Sequence, residues 1–265
     1  MNSGLNHTYR KDKAALLAQN LNKSDTARSV QTLLRRLCIL TDSSIKKIWL
    51  ETGFDDQVCL VAVGGYGRGA LYPYSDIDVL LLLPSGVSAE ENPVLKGQIE
   101  QFISACWDNG LEIGSSVRNL EECIQESSSD ITIQTSLLEA RRIVGSASLF
   151  KKFKNQYDEA MDAKAFFVSK TLELRQRHTK FENTPYSLEP NAKESPGGLR
   201  DTGRRRASTA TGRTGAARGR APVALHTIRN GSCGGRGPLG RRLRTIHLCQ
   251  RCRLPVTGLF ARGTP

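Results

Sequence analysis

The residues best placed to do chemistry lie in Val61-Ala62-Val63-Gly64-Gly65-Tyr66-Gly67-Arg68-Gly69-Ala70-Leu71-Tyr72-Pro73-Tyr74-Ser75-Asp76-Ile77-Asp78-Val79-Leu80-Leu81. An apolar run enters paired glycines, ten residues intervene, and Asp-x-Asp then opens a second apolar run. Gly64 and Gly65 carry no Cβ, so their backbone N–H groups can approach an anionic phosphate and point at it together. Asp76 and Asp78 sit two apart, which on a strand puts both carboxylates on one face, about 7 Å apart along the backbone. Such a pair can converge on divalent metal ions. Two metals roughly 4 Å apart can clamp the attacking and leaving oxygens of an in-line phosphoryl or nucleotidyl transfer. Either fragment alone is commonplace. Together they place two acids at the mouth of a core-bound strand, which is costly unless a cation compensates them.

These residues need a scaffold, and the apolar pattern predicts one. Residues 9–54 read as helices, with Leu16, Leu17 and Leu21, then Leu33, Leu34 and Leu37, then Ile45, Ile48 and Trp49 close to a 3.6-residue period. Ser24 and Thr41-Asp42 are the expected helix starts. Val58–Val63 is a short continuous apolar run of strand length, ended by Gly64-Gly65, and Ile77–Leu83 is a second strand stopped by Pro84. Their closeness in sequence predicts an antiparallel pair. Residues 90–109 return to helix, with Leu95, Ile99, Phe102, Ile103 and Cys106 on one stripe. Leu111–Val117 reads as a third strand and Leu137–Val144 as a fourth, with helix an open alternative for the latter. Residues 146–182 read as helical, closed by a Pro/Gly cluster at 190–198. The expected fold class is α+β, a small mixed sheet flanked by helices. The expected division is a helical segment at 1–54, a core at 55–145, a helical region at 146–201 and a tail at 202–265.

The chain has 265 residues, 38% of them hydrophobic, and a formal charge of +12. That charge belongs to one end. Residues 202–265 contain 14 Arg and no Lys, Asp or Glu, leaving 24 basic against 26 acidic residues in 1–201. No apolar run reaches the roughly 18 residues a membrane span needs. The first residues lack a basic-then-apolar signal layout. Cys38, Cys59, Cys106 and Cys123 stand singly in apolar contexts and read as buried thiols of a reducing compartment. The expectation is a cytoplasmic protein, and four histidines leave little scope for a histidine-based metal site.

Residues 61–83 resemble the signature of the polymerase-β-like nucleotidyltransferase superfamily. Three further stretches narrow the resemblance to the bacterial protein-PII uridylyltransferases. They are Trp107-Asp108-Asn109-Gly110-Leu111-Glu112-Ile113-Gly114, Thr135-Ser136-Leu137-Leu138-Glu139-Ala140-Arg141, and Asn191-Ala192-Lys193-Glu194-Ser195-Pro196-Gly197-Gly198-Leu199-Arg200-Asp201. The resemblance covers roughly residues 9–201. It implies a polymerase-β-like fold and the transfer of UMP from UTP to a tyrosine of the PII signalling protein. Gly64 and Gly65 would hold the UTP triphosphate with Ser75 beside the nucleotide, and Asp76 and Asp78 would bind Mg²⁺. A third carboxylate is expected, with Glu139 the first choice and Glu112 the fallback. Arg68 either contacts phosphate or is a solvated turn residue. Tyr66, Tyr72 and Tyr74 would shape the loop. Relatives usually carry histidine where Ser115 stands, a departure that touches substrate positioning rather than the metal site.

Past Asp201 the family would continue into an HD-type phosphohydrolase domain and two ACT sensing domains, and the sequence shows neither pattern. The switch to arginine without lysine or acids reads as a shifted reading frame, with a genuine basic tail as the alternative. Cys249 and Cys252 form a lone Cys-x-x-Cys, with Cys233 and His226 badly spaced to complete a zinc site. Gly234-Gly235-Arg236-Gly237 is a single Arg-Gly element without aromatic interleaving. Two other functions fit less of the sequence: an adenylyltransferase of the same fold, and an Arg-rich binder of nucleic acid acting through the tail.

Overall fold

A computed structural model describes residues 8–21, 27–183, 191, 193–198 and 200–201. Ser24 and the whole of 202–265, including Cys249, Cys252 and the Arg-Gly element, lie outside the described residues. The chain divides into two units between Met161 and Asp162.

The first unit begins with α1 (Thr8–Leu21) and α2 (Ala27–Thr52), followed by β1 (Cys59–Ala62) and the single turn α3 (Gly64–Gly67). Then come β2 (Ile77–Leu83), α4 (Pro93–Asp108), β3 (Ile113–Asn119), α5 (Leu120–Ser129), α6 (Ile131–Leu138), β4 (Arg141–Gly145) and α7 (Ala147–Ala160). The strands lie in the order β3-β2-β1-β4. β1 is antiparallel to both β2 and β4, and β2 is parallel to β3, so the sheet is mixed as expected.

Both faces of the sheet are covered, which is why β1 and β2 read as continuous apolar runs rather than alternating ones. Leu60, Ala62, Ile77, Val79, Leu81 and Leu83 pack with Ile45, Ile48 and Trp49 of α2 and with Leu95, Ile99, Phe102 and Cys106 of α4. Cys59, Val61, Leu80 and Leu82 pack on the other face with Leu120 and Cys123 of α5, Leu137 of α6, and Leu149, Phe153 and Tyr157 of α7. Each such leucine, withdrawn from water, contributes about 1.5–3 kcal/mol. Asp78 is the one exposed residue on β2. All four cysteines named above are buried free thiols.

Two expectations need correction. Thr41-Asp42 starts no helix, because α2 runs unbroken through it. An N-cap carboxylate is needed where first-turn amides lack partners, and within a continuing helix the carbonyls four residues back already serve them. Thr41 is instead buried with its hydroxyl 3.1 Å from that of Tyr9. The stretch 137–144 is shared, with α6 ending at Leu138 and β4 beginning at Arg141.

In the second unit, α8 (Ala163–Lys180) is capped by Asp162, whose carboxylate accepts from the amides of Lys164 and Ala165. Asp201 accepts from the Gly197 amide (2.8 Å), from Arg177 (2.5 Å) and from His178 (2.9 Å) of α8. Burial alone would raise the Asp201 pKa, but these donors outweigh it and hold it below the ordinary aspartate value of 3.8.

Candidate active site

β1 is followed by Val63, whose backbone is extended, and Gly64 turns the chain with φ +57° into α3. That left-handed conformation favours glycine. The Val63 amide donates to the Asp78 carbonyl (3.1 Å), fixing the end of β1 beside the start of β2. The consequence is spatial closeness of the two sequence fragments. A β-carbon on Gly64 would lie 3.6 Å from one Asp78 carboxylate oxygen, and a β-carbon on Gly114 would lie 3.0 Å from the other. The Asp78 carboxylate therefore occupies a cradle between Gly64 of the turn and Gly114 of β3, which pairs with it in register.

Asp76 immediately precedes β2 and, like Asp78, is exposed. The Ile77 amide between them donates to the Glu112 carbonyl (2.9 Å), and the Ser75 amide closes a turn onto the Tyr72 carbonyl (3.1 Å). Ile77 and Val79 both face the α2–α4 core, anchoring the acids from behind.

Arg68 and Glu139 are ion-paired with each other. A β-carbon on Gly65 would lie 3.8 Å from an Arg68 guanidinium nitrogen, so the arginine stands beside the glycine turn. Glu139 follows α6, and its backbone carbonyl abuts Gly67 so closely that a β-carbon there would come within 2.3 Å. Among the described residues, no three His, Cys, Asp or Glu side chains are gathered so as to hold a metal ion. Glu139 reaches the turn but is not brought together with the aspartates as a third ligand. Glu112, the fallback, has its charge felt by Lys13 and Tyr9 of α1. Burial lowers the Lys13 pKa and the Glu112 charge opposes this; burial raises that of Tyr9 and Glu112 adds slightly.

The donor set suits a hard divalent cation. Mg²⁺ is commonly held by one or two carboxylates together with substrate phosphates, and needs no all-protein cage. Asp76 and Asp78 supply the carboxylates, and the side-chain-free walls at Gly64 and Gly114 leave the Asp78 oxygens approachable.

Sequence reasoning missed a cluster joining α2, α3 and β4. The Arg141 guanidinium forks onto the Asp42 carboxylate at 2.7 and 3.1 Å, and the Tyr66 hydroxyl donates to the same carboxylate. Burial works against the charge on Arg141, but Asp42 more than offsets it and keeps the pKa high. Burial and Asp42 together push the Tyr66 pKa up. The signal available was an acid, Asp42, on the buried stripe that carries Cys38, Ile45 and Trp49, where a cation had to meet it.

Comparison with known proteins matches residues 44–138 to the family model described as "Nucleotidyltransferase domain". Over residues 44–138 the chain is therefore similar to a nucleotidyltransferase domain. The α3 turn, the acid pair and strands β1, β2 and β3 fall inside these residues, and β4 follows just past them. Residues 165–204 match a second model, GlnD PII-uridylyltransferase. The chain is 55% identical over 192 residues to a bifunctional uridylyltransferase/uridylyl-removing enzyme of Burkholderia lata, covering 72% of this chain and 22% of that protein. An enzyme of the same name from Burkholderia orbicola is 56% identical over 192 residues, and one from Burkholderia vietnamiensis 55% over 193, with the same coverage. The chain thus spans about a fifth of the length of these relatives. The resemblance to the uridylyltransferases is borne out, and with it the nucleotidyltransferase fold class. No described helix is long and apolar enough to cross a membrane.

Proposed function

We propose that this nucleotidyltransferase domain binds UTP with Mg²⁺ and transfers UMP to a tyrosine hydroxyl of the PII signalling protein. The observation that carries the reading is the placement of the Asp78 carboxylate between Gly64 and Gly114, beside the glycine turn. Uridine as the base, and PII as the acceptor, are taken from the names of the relatives and of the matched family.

The Gly64 and Gly65 amides cradle the triphosphate, with Ser75 near the nucleotide. Arg68, oriented by Glu139, adds a guanidinium suited to paired phosphate oxygens. Asp76 and Asp78 hold the cation, which when bound neutralises charge that develops on the phosphates. The tyrosine oxygen attacks the α-phosphorus, the bond from the α-phosphorus to the bridging oxygen breaks, pyrophosphate departs with the electron pair, and the hydroxyl proton is lost to solvent. Glu139 would have to leave Arg68 to serve as a third metal carboxylate.

A cytoplasmic setting is part of the proposal. It supplies UTP and keeps Cys38, Cys59, Cys106 and Cys123 as thiols, and burial pushes the last three up to about 12.

The test is incorporation of label from α-phosphate-labelled UTP into PII, with ATP as competitor. Labelling that needs Mg²⁺ and is lost in Asp76→Asn/Asp78→Asn supports the assignment. Labelling that survives in the double variant overturns the metal site, and preferential use of ATP overturns the base.

A further inference from the structure

α3 is four residues long, far too short to hold its own shape. Within the turn, the Gly67 amide donates to the Val63 carbonyl (3.0 Å) and the Arg68 amide to the Gly64 carbonyl (3.1 Å). The closing carbonyls meet an outside donor. Arg141 Nε donates to the Gly67 carbonyl at 3.3 Å, and Arg141 Nη2 to the Tyr66 carbonyl at 3.4 Å. The same guanidinium lies 5.3 Å from the centre of the Tyr66 ring, and that ring is fully buried. Asp42 then fixes both partners, accepting the Arg141 fork and the Tyr66 hydroxyl.

One guanidinium therefore links α2, the closing carbonyls of α3 and the first residue of β4. Stability alone does not require this. A buried ion pair is often matched or bettered by apolar packing of the same volume, whereas charge-assisted hydrogen bonds fix direction. What the network fixes is the segment that begins at Gly64, whose position relative to Asp78 sets the width of the site.

We propose that Asp42, Tyr66 and Arg141 are positioning residues for nucleotide binding, acting through the glycine turn by holding Gly64 and Gly65 in line with the Asp78 carboxylate. The inference rests on the reading of this site as a UTP–Mg²⁺ site. It extends that reading to three residues outside the signature's acids and paired glycines.

The experiment is calorimetric titration of UTP with Mg²⁺ into the full chain, alongside amide hydrogen exchange over residues 63–70. Arg141→Lys keeps the charge and removes the fork, and it is expected to weaken UTP binding about tenfold and to speed exchange in 63–70. Exchange in α4, which the network does not touch, stays unchanged. Tyr66→Phe removes only the hydroxyl and is expected to weaken binding about threefold. A merely structural role would lower the melting temperature while leaving the Kd of the folded variant, and exchange confined to 63–70, as in the parent. A folded Arg141→Lys with Kd within twofold of the parent overturns the proposal. If that variant does not fold, Tyr66→Phe decides on the same two readouts. A parent chain that binds no UTP overturns the site reading itself, a result distinct from a parent and variants that bind alike.

Discussion

Two sets of carboxylates flank one glycine turn, and they are handled in opposite ways. Asp76 and Asp78 face solvent at the entrance to β2, with glycines on either side of Asp78. Asp42 sits with its side chain only 20% exposed and carries its own cation, Arg141, as well as the Tyr66 hydroxyl. The first, open set faces solvent beside glycines, and the second, closed set is mostly buried against a cation of the chain itself. An acid near a phosphate loop is thus no sign of a metal site by itself. What separates the two is where the carboxylates stand, exposed beside glycines or mostly buried against a guanidinium.

The deepest test of this contrast removes the open set. Asp76→Asn/Asp78→Asn should lower UMP transfer by at least about 100-fold with the melting temperature preserved, because both side chains are solvent-facing. A parallel loss of folding would mean the aspartates resemble Asp42 after all.

Next in size is a change that touches no acid. Gly114→Ala would set a β-carbon 3.0 Å from an Asp78 oxygen, so the carboxylate must shift. Mg²⁺-dependent UTP binding should weaken about tenfold, a ΔΔG of about 1.4 kcal/mol. The fold should hold, since the displaced group is the end of a side chain. Unchanged affinity would show that the cradle is not part of the site.

Glu139 falls between the two sets, beside the turn, mostly buried and partnered by Arg68. Glu139→Gln can still accept a hydrogen bond from Arg68, so a loss of only about threefold in UTP affinity is expected. A loss as deep as that of the aspartate pair would make Glu139 a metal ligand instead.

Much of the open site was legible because it is local. Gly64, Gly65, Asp76 and Asp78 fall within fifteen residues, and the two strands that hold them are short apolar runs with clear stops. The antiparallel pairing of β1 with β2 followed from that closeness. The closed site was not legible, because Asp42 and Arg141 are 99 residues apart and meet only through the packing of α2 against the sheet. By local preference alone an aspartate after threonine marks Asp42 as a helix start, and the apolar stripe continuing to Trp49 overrides it. The third acid was hard to place for a different reason. Glutamates are common, and neither Glu112 nor Glu139 has a spacing that ties it to Asp78.

The smallest expected effect concerns another acid that the chain itself satisfies. The Asp201 pKa is held below 3.8 by the Gly197 amide, Arg177 and His178. A depressed carboxylate pKa means the stabilisation is present above the unfolded value and fades as pH falls through the lower folded one. Acidification below about pH 4 should therefore loosen 194–198 and 200–201, read as lower protection of their amides relative to an unstructured chain at the same pH, whereas Asp201→Asn should abolish this acid step. Protection in these residues that is unchanged by acid in the parent would contradict the role of Asp201.

The central claim is that the open acids and the glycine turn form one nucleotide–metal site. It is tested most directly by titrating UTP into the full chain and into Asp76→Asn/Asp78→Asn, each with and without Mg²⁺. Saturable binding that requires Mg²⁺ in the parent and is lost in the variant is the predicted result. Equal binding by both chains, or binding indifferent to Mg²⁺, would contradict it.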